Sequence, residues 1–160
     1  MNETLKEPLR LMSRIMRLGS VLPLGLVVRT YGGSDKWLHG YTAPYQSHFK
    51  ALRWHSNRVL EIGVGLHESR SVGGSLRIWR DYFPRSEIIG LDLFEKDVQL
   101  GRRVSFVQGD QSSAAALDKT LGPNGRAPNI VIDDGSHLRE HAVISFAHLF
   151  PLMPQGSVYA

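Results

Sequence analysis

Two adjacent carboxylates and an imidazole, Asp133, Asp134 and His137, follow an apolar run in the segment Ile132-Asp133-Asp134-Gly135-Ser136-His137. Carboxylates so placed can hold a cation or receive hydroxyl and amine donors, and imidazole is the side chain suited to moving a proton near neutral pH. If an apolar strand ends there and a helix begins, the cluster sits on the carboxyl edge of an open α/β sheet, where such folds keep their ligands. Upstream, Arg58-Val59-Leu60-Glu61-Ile62-Gly63-Val64-Gly65 reads as a strand entering a glycine turn of the kind that lets a nucleotide-like cofactor lie against backbone.

Positioning these residues requires alternating strands and helices. Val59–Gly63, Glu87–Leu91, Val104–Val107 and Asn129–Ile132 are short, mostly β-branched runs, as expected of parallel strands buried on both faces. Between and after them lie helix-length segments at Ser75–Phe83, Ser112–Leu121 and Ser136–Phe150, each stopped by Pro or Gly. The last is expected to bury Val143, Phe146, Ala147 and Phe150 and to turn His141 and His148 to water. The alternation predicts right-handed crossovers and a doubly wound, Rossmann-like α/β sheet, parallel throughout. Gly156–Ala160 reads as the first half of a fifth strand, so the sheet is expected to lack its C-terminal strands.

Ahead of this core, residues 1–30 read as a basic amphipathic helical segment and 31–57 as a loop-rich cap, with 58–160 the partial core. Residues 29–49 mix aromatics, His, Gly and Pro without periodicity and predict ordered loop. Lys6, Arg10, Arg14, Arg17 and Arg29 against Glu3 and Glu7 put three units of the net +4 into the first 30 residues. That charge could touch lipid or nucleic acid, but the Leu5, Leu9, Met12, Ile15, Met16 stripe favours packing on the protein's own body. No nucleic-acid partner is therefore expected. The run Leu18–Val28, broken by Pro23 and Gly25, is too short to span a bilayer. With 160 residues and no Cys, the chain fits one domain, excludes thiolate chemistry and disulfides, and suits a cytoplasmic location.

Acids recur at the strand ends: Glu61 inside the first, Asp92 after the second, Asp110 after the third, Asp133 and Asp134 after the fourth. Solvation explains one or two of these; the repetition favours a donor-rich, positively charged cofactor. A nicotinamide dinucleotide, the basis of an alternative oxidoreductase reading, fits poorly, because position 68 is Glu and Asp92 lies 27 residues beyond Gly65. His137-Leu138-Arg139-Glu140-His141 matches a zinc-peptidase pattern, but that chemistry needs a further acidic ligand well downstream.

In this order, YGGSDKWLHGYTAPYQSHF, LEIGVG, GGSLRIWRDYFP, IIGLDL, QGDQ and IDDGSH resemble the class I S-adenosylmethionine-dependent methyltransferases. Within these they are similar to the metal-dependent macrolide sugar O-methyltransferases of the mycinamicin and demethylmacrocin type. The resemblance implies that Glu61, Gly63 and Gly65 hold the methionine end of the cofactor, Asp92 the ribose, and Asp110 with Gln111 the adenine. It also implies that Asp133 lines the cofactor side of its turn, that Asp134 ligates Mg²⁺, and that His137 is the general base. Leu66 stands where such proteins tend to have glycine, and their other metal carboxylates follow the fifth strand. The implied partner is a small glycosylated acceptor, with a homo-oligomer left open; a non-catalytic domain of the same fold is the other alternative.

Overall fold

The computed structural model describes residues 22–30, 40–65, 74–122 and 124–160. The basic segment through residue 21, the 31–39 part of the cap, and Leu66 lie outside the described residues.

Helix α1 (Leu24–Thr30) and helix α2 (Thr42–Phe49) precede strand β1 (Arg58–Ile62), helix α3 (Gly74–Tyr82), strand β2 (Glu87–Asp92) and strand β3 (Val104–Gln108). Helix α4 (Ala114–Thr120), strand β4 (Ile130–Asp133), helix α5 (Arg139–Leu149), a 3₁₀ turn (Phe150–Leu152) and strand β5 (Val158–Tyr159) follow. The strands form one sheet in the order β3-β2-β1-β4-β5, and every pairing is parallel.

Every residue of β1 is buried, Arg58 and Glu61 included, and its apolar Val59, Leu60 and Ile62 serve both faces of the sheet and not one alone. Val59, Ile88, Ile130 and Ile132 face a core shared with α1, α2 and α3, whereas Leu60, Ile62, Ile89, Leu91 and Val131 face Leu117 of α4 and Leu149 of α5. Helices on opposite faces are what right-handed crossovers produce when the chain winds one way through β1–β3 and the other way from β4.

Two expectations need correction. Residues 42–49 are not loop: Tyr41, Tyr45 and Phe49, spaced by four, line one side of α2, and Phe49 is fully buried against Trp79 and Phe83. Pro44 is tolerated because it falls in the first helical turn, where backbone N–H groups have no intrahelical partner. The second correction reverses α5. Its buried residues are Ser145 and Leu149, while Val143, Phe146 and Phe150 are 58%, 43% and 48% exposed. His148 and His141 are half-buried on the inner side, where His148 Nε2 meets Asp118 Oδ1 of α4 at 2.8 Å. Polar partners reaching in from β4, β5 and α4 decide the orientation over the apolar pattern.

Candidate active site

The strand order reverses between β1 and β4, the place where open α/β sheets bind ligands beyond their carboxyl ends. Ile62 of β1 is in register with Asp133 of β4, so the turns leaving both strands emerge side by side. The Asp134 N–H donates to Ile62 O at 2.9 Å, and the Gly63 N–H donates to Leu91 O at 2.8 Å. Gly63 has φ +83°, and a Cβ on it would lie 2.2 Å from the Asp134 carbonyl oxygen. Only glycine lets the cofactor-type turn and the Asp134 turn approach so closely.

Asp92 supports the same turn from the neighbouring strand end. Its Oδ2 accepts from the Val64 N–H at 2.8 Å and its Oδ1 from the Phe94 N–H at 2.9 Å, while Lys96 Nζ stands 3.9 Å from Oδ1. A carboxylate retains lone pairs beyond those two bonds. Asp110 Oδ1 accepts from both the N–H and the hydroxyl of Ser112, each at 2.8 Å. Those bonds, with the nearby His141, hold its carboxyl below the usual range. Glu61 is fully buried on β1, a costly position for a carboxylate.

Gln111 and Asp133 are engaged inside the protein. Gln111 Nε2 donates to Asp133 Oδ1 at 3.1 Å, and its Oε1 accepts from the Ser136 N–H at 2.7 Å. Asp133 Oδ2 accepts from the Ser145 and Tyr159 hydroxyls, both at 2.8 Å. Sequence reasoning missed Ser145 and Tyr159, and no local spacing marks either one.

His137 is exposed and has φ +57°, the one left-handed non-glycine residue among those described. Such a conformation is disfavoured for an L-residue and persists where its surroundings over-determine it, characteristically at functional sites. Because of that conformation α5 starts at Arg139 and not at Ser136. His137 lies outside the helix that contains His141, so the two do not share a helix face as the zinc-peptidase pattern requires. His141 Nδ1 meets Ser136 Oγ at 3.0 Å instead. Among the described residues, no three His, Asp or Glu side chains assemble into a metal-binding group.

No protein-family model matches the chain. Individual relatives do. An 8-demethyl-8-alpha-L-rhamnosyl tetracenomycin-C 2'-O-methyltransferase of Streptomyces olivaceus is 43% identical over 137 residues, 84% of this chain and 35% of that protein. A mycinamicin VI 2''-O-methyltransferase of Micromonospora griseorubida is 44% identical over 124 residues, 77% of this chain and 31% of that protein. Among solved structures, the MycE methyltransferase of the mycinamycin biosynthetic pathway, in complex with Mg, SAH and mycinamycin VI, matches with a TM-score of 0.77. Its identity is 40%, over 86% of this chain and 38% of that one. Over the stretch they share, the chain is similar in sequence and fold to these sugar O-methyltransferases. It spans about a third of the length of the curated relatives it matches. The chain carries five parallel strands, and Glu61, Asp92, Asp110, Asp133, Asp134 and His137 lie at or just beyond the carboxyl ends of β1 to β4. Among its described residues no helix is long and apolar enough to cross a membrane.

Proposed function

We propose that the protein transfers a methyl group from S-adenosylmethionine to a sugar hydroxyl of a glycosylated natural product, with Mg²⁺ as a second cofactor. Supporting this reading most directly is the meeting of the left-handed Gly63 turn with the Asp134–His137 turn at the sheet's reversal point. It does so in a chain 40% identical to a methyltransferase crystallised with Mg, SAH and a macrolide.

The residues fit an S-adenosyl group. Gly63 and Gly65 are both left-handed and offer backbone at the carboxyl end of β1, with Glu61 beneath them. Asp92 and Asp110 stand at the next two strand ends as acceptors for ribose hydroxyls and an exocyclic amine. For Mg²⁺, Asp134 supplies one carboxylate, within the one or two such ions use alongside substrate oxygens and water. Bound there, the metal would lower the pKa of the acceptor hydroxyl, as metals lower that of water from about 15.7 toward about 7 in the best cases.

This chain's own residues then have defined tasks. The exposed His137 takes the hydroxyl proton onto a ring nitrogen as the acceptor oxygen bonds to the methyl carbon. The carbon–sulfur bond breaks with its electron pair going to sulfur, so the positive sulfonium leaves as a neutral thioether. A positioned base contributes roughly 10²–10⁴-fold. The strained turn keeps His137 and Asp134 at fixed separation, so that alignment need not be found anew at each turnover. A cytoplasmic setting belongs to this reading, supported by the cysteine-free composition.

Isothermal titration with SAH tests the cofactor assignment, and transfer of a labelled methyl group to glycosylated macrolides, with and without chelator, tests the chemistry. Saturable SAH binding and chelator-sensitive transfer are expected. A thermal shift with a nicotinamide dinucleotide and none with SAH would overturn the proposal.

A further inference from the structure

We propose that Gln111 is a positioning residue that, through Asp133, clasps the turn carrying Asp134 and His137; the proposal rests on the methyltransferase reading above. The resemblance implies that Gln111, with Asp110, holds the adenine, but both ends of its side-chain amide are already used inside the protein, and the residue is 7% exposed. Turning Oε1 toward a ligand would leave the Ser136 N–H without its acceptor. Turning Nε2 would take a donor from the part-buried Asp133 carboxylate, at the cost of a charge-assisted hydrogen bond.

Gly135 supplies an independent observation. A Cβ there would lie 2.0 Å from Gln111 Oε1, so the turn is built without a side chain at the point where the amide reaches across it. Beyond Gln111, Asp133 Oδ2 anchors the same turn to α5 through Ser145 and to β5 through Tyr159, whose hydroxyl oxygen also lies 2.9 Å from Ser145 Oγ. Burial pushes the Tyr159 phenol up, so it remains a donor. Elements on both sides of β4 thus converge on the residues flanking Asp134. With Ser136 held by its amide and Asp133 by three donors, the backbone between them has little freedom, and His137 is driven into its left-handed conformation. Asp133 in this scheme is the hub of the clasp and not a cofactor contact.

Gln111→Met keeps the side-chain length and removes both polar ends. The clasp predicts that SAH affinity stays within about threefold of wild type, while the Ser136 amide exchanges at least about tenfold faster. Methyl transfer should lose about tenfold or more in kcat with KM for the cofactor little changed, the pattern of lost transition-state alignment. Tyr159→Phe, which removes one donor from Asp133 and leaves the ring in place, should move Ser136 exchange and kcat the same way by a smaller factor. SAH binding weakened more than about tenfold with unchanged Ser136 exchange would make Gln111 a ligand contact and overturn the proposal. Unchanged exchange in both variants overturns it equally. Failure of the wild-type chain to bind SAH would count against the methyltransferase reading alone, because the exchange comparison needs no ligand.

Discussion

At the scale of single residues, His137 combines an exposed imidazole with a backbone conformation that Asn and Gly adopt far more readily than most side chains. His137→Asn is therefore expected to keep the turn and remove the proposed base. Turnover should fall by roughly 10²–10⁴-fold with SAH affinity retained, as read by methyl transfer and calorimetry. Asp110 carries a pH prediction. Its folded carboxyl is depressed, chiefly by the two Ser112 bonds, so its contribution to stability is complete above the unfolded carboxyl's pKa and is lost as pH falls through the lower folded value. Ser112→Ala removes the hydroxyl bond and should raise the Asp110 titration midpoint followed by carboxyl NMR, moving that loss to higher pH. The placement of Asp92, Asp110, Asp134 and His137 just beyond strand ends was legible because strand-end position and residue type are local properties. The partners of Asp133 were not, because Ser145 and Tyr159 arrive from 12 and 26 residues away.

At the scale of elements, the four central strands and the places of three helices along the chain, though not every buried face, follow the apolar runs and their Pro and Gly stops. Two helices departed from the pattern, each for its own reason. The fourfold aromatic spacing of α2 was masked by Gly40 and Pro44, residues that punctuate loops as well as helix starts. In α5 the apolar stripe pointed to a core face, but Asp133, Tyr159 and Asp118 recruit Ser145 and His148 to the inner side. Arg103 shows a further long-range constraint: its guanidinium donates to the carbonyls of Arg80, Phe83 and Ser86, closing the C-terminal end of α3 just before β2. Arg103→Met should lower stability by about 2–3 kcal/mol, the range for charged hydrogen bonds whose acceptors are left partly buried. The denaturant midpoint should fall with little change in slope, which marks lost stability and not an altered unfolded state.

For the whole molecule, α5 and the turn after it leave a ridge of Leu138, Val143, Ile144, Phe146, Phe150 and Leu152 open to solvent, with Phe146 edge-on to Tyr159 of the outermost strand. Contiguous apolar surface of this kind drives association in isolated chains. The apparent molar mass of the 160-residue chain from light scattering should rise with concentration. Val143→Glu with Ile144→Lys should suppress that while leaving the far-ultraviolet circular dichroism unchanged, since both side chains are exposed.

The linear order of residues was enough to establish an α/β sheet of parallel strands, acids at successive strand ends, a glycine turn after β1 and an imidazole after β4. Each of these depends on periodicity and nearest neighbours along the chain. Tertiary structure alone decided which side of α5 faces inward, that α2 joins the core, and that Gln111 and Asp133 bind one another. Those outcomes turn on hydrogen bonds between groups far apart in sequence, where satisfying a buried polar atom outweighs placing an apolar one.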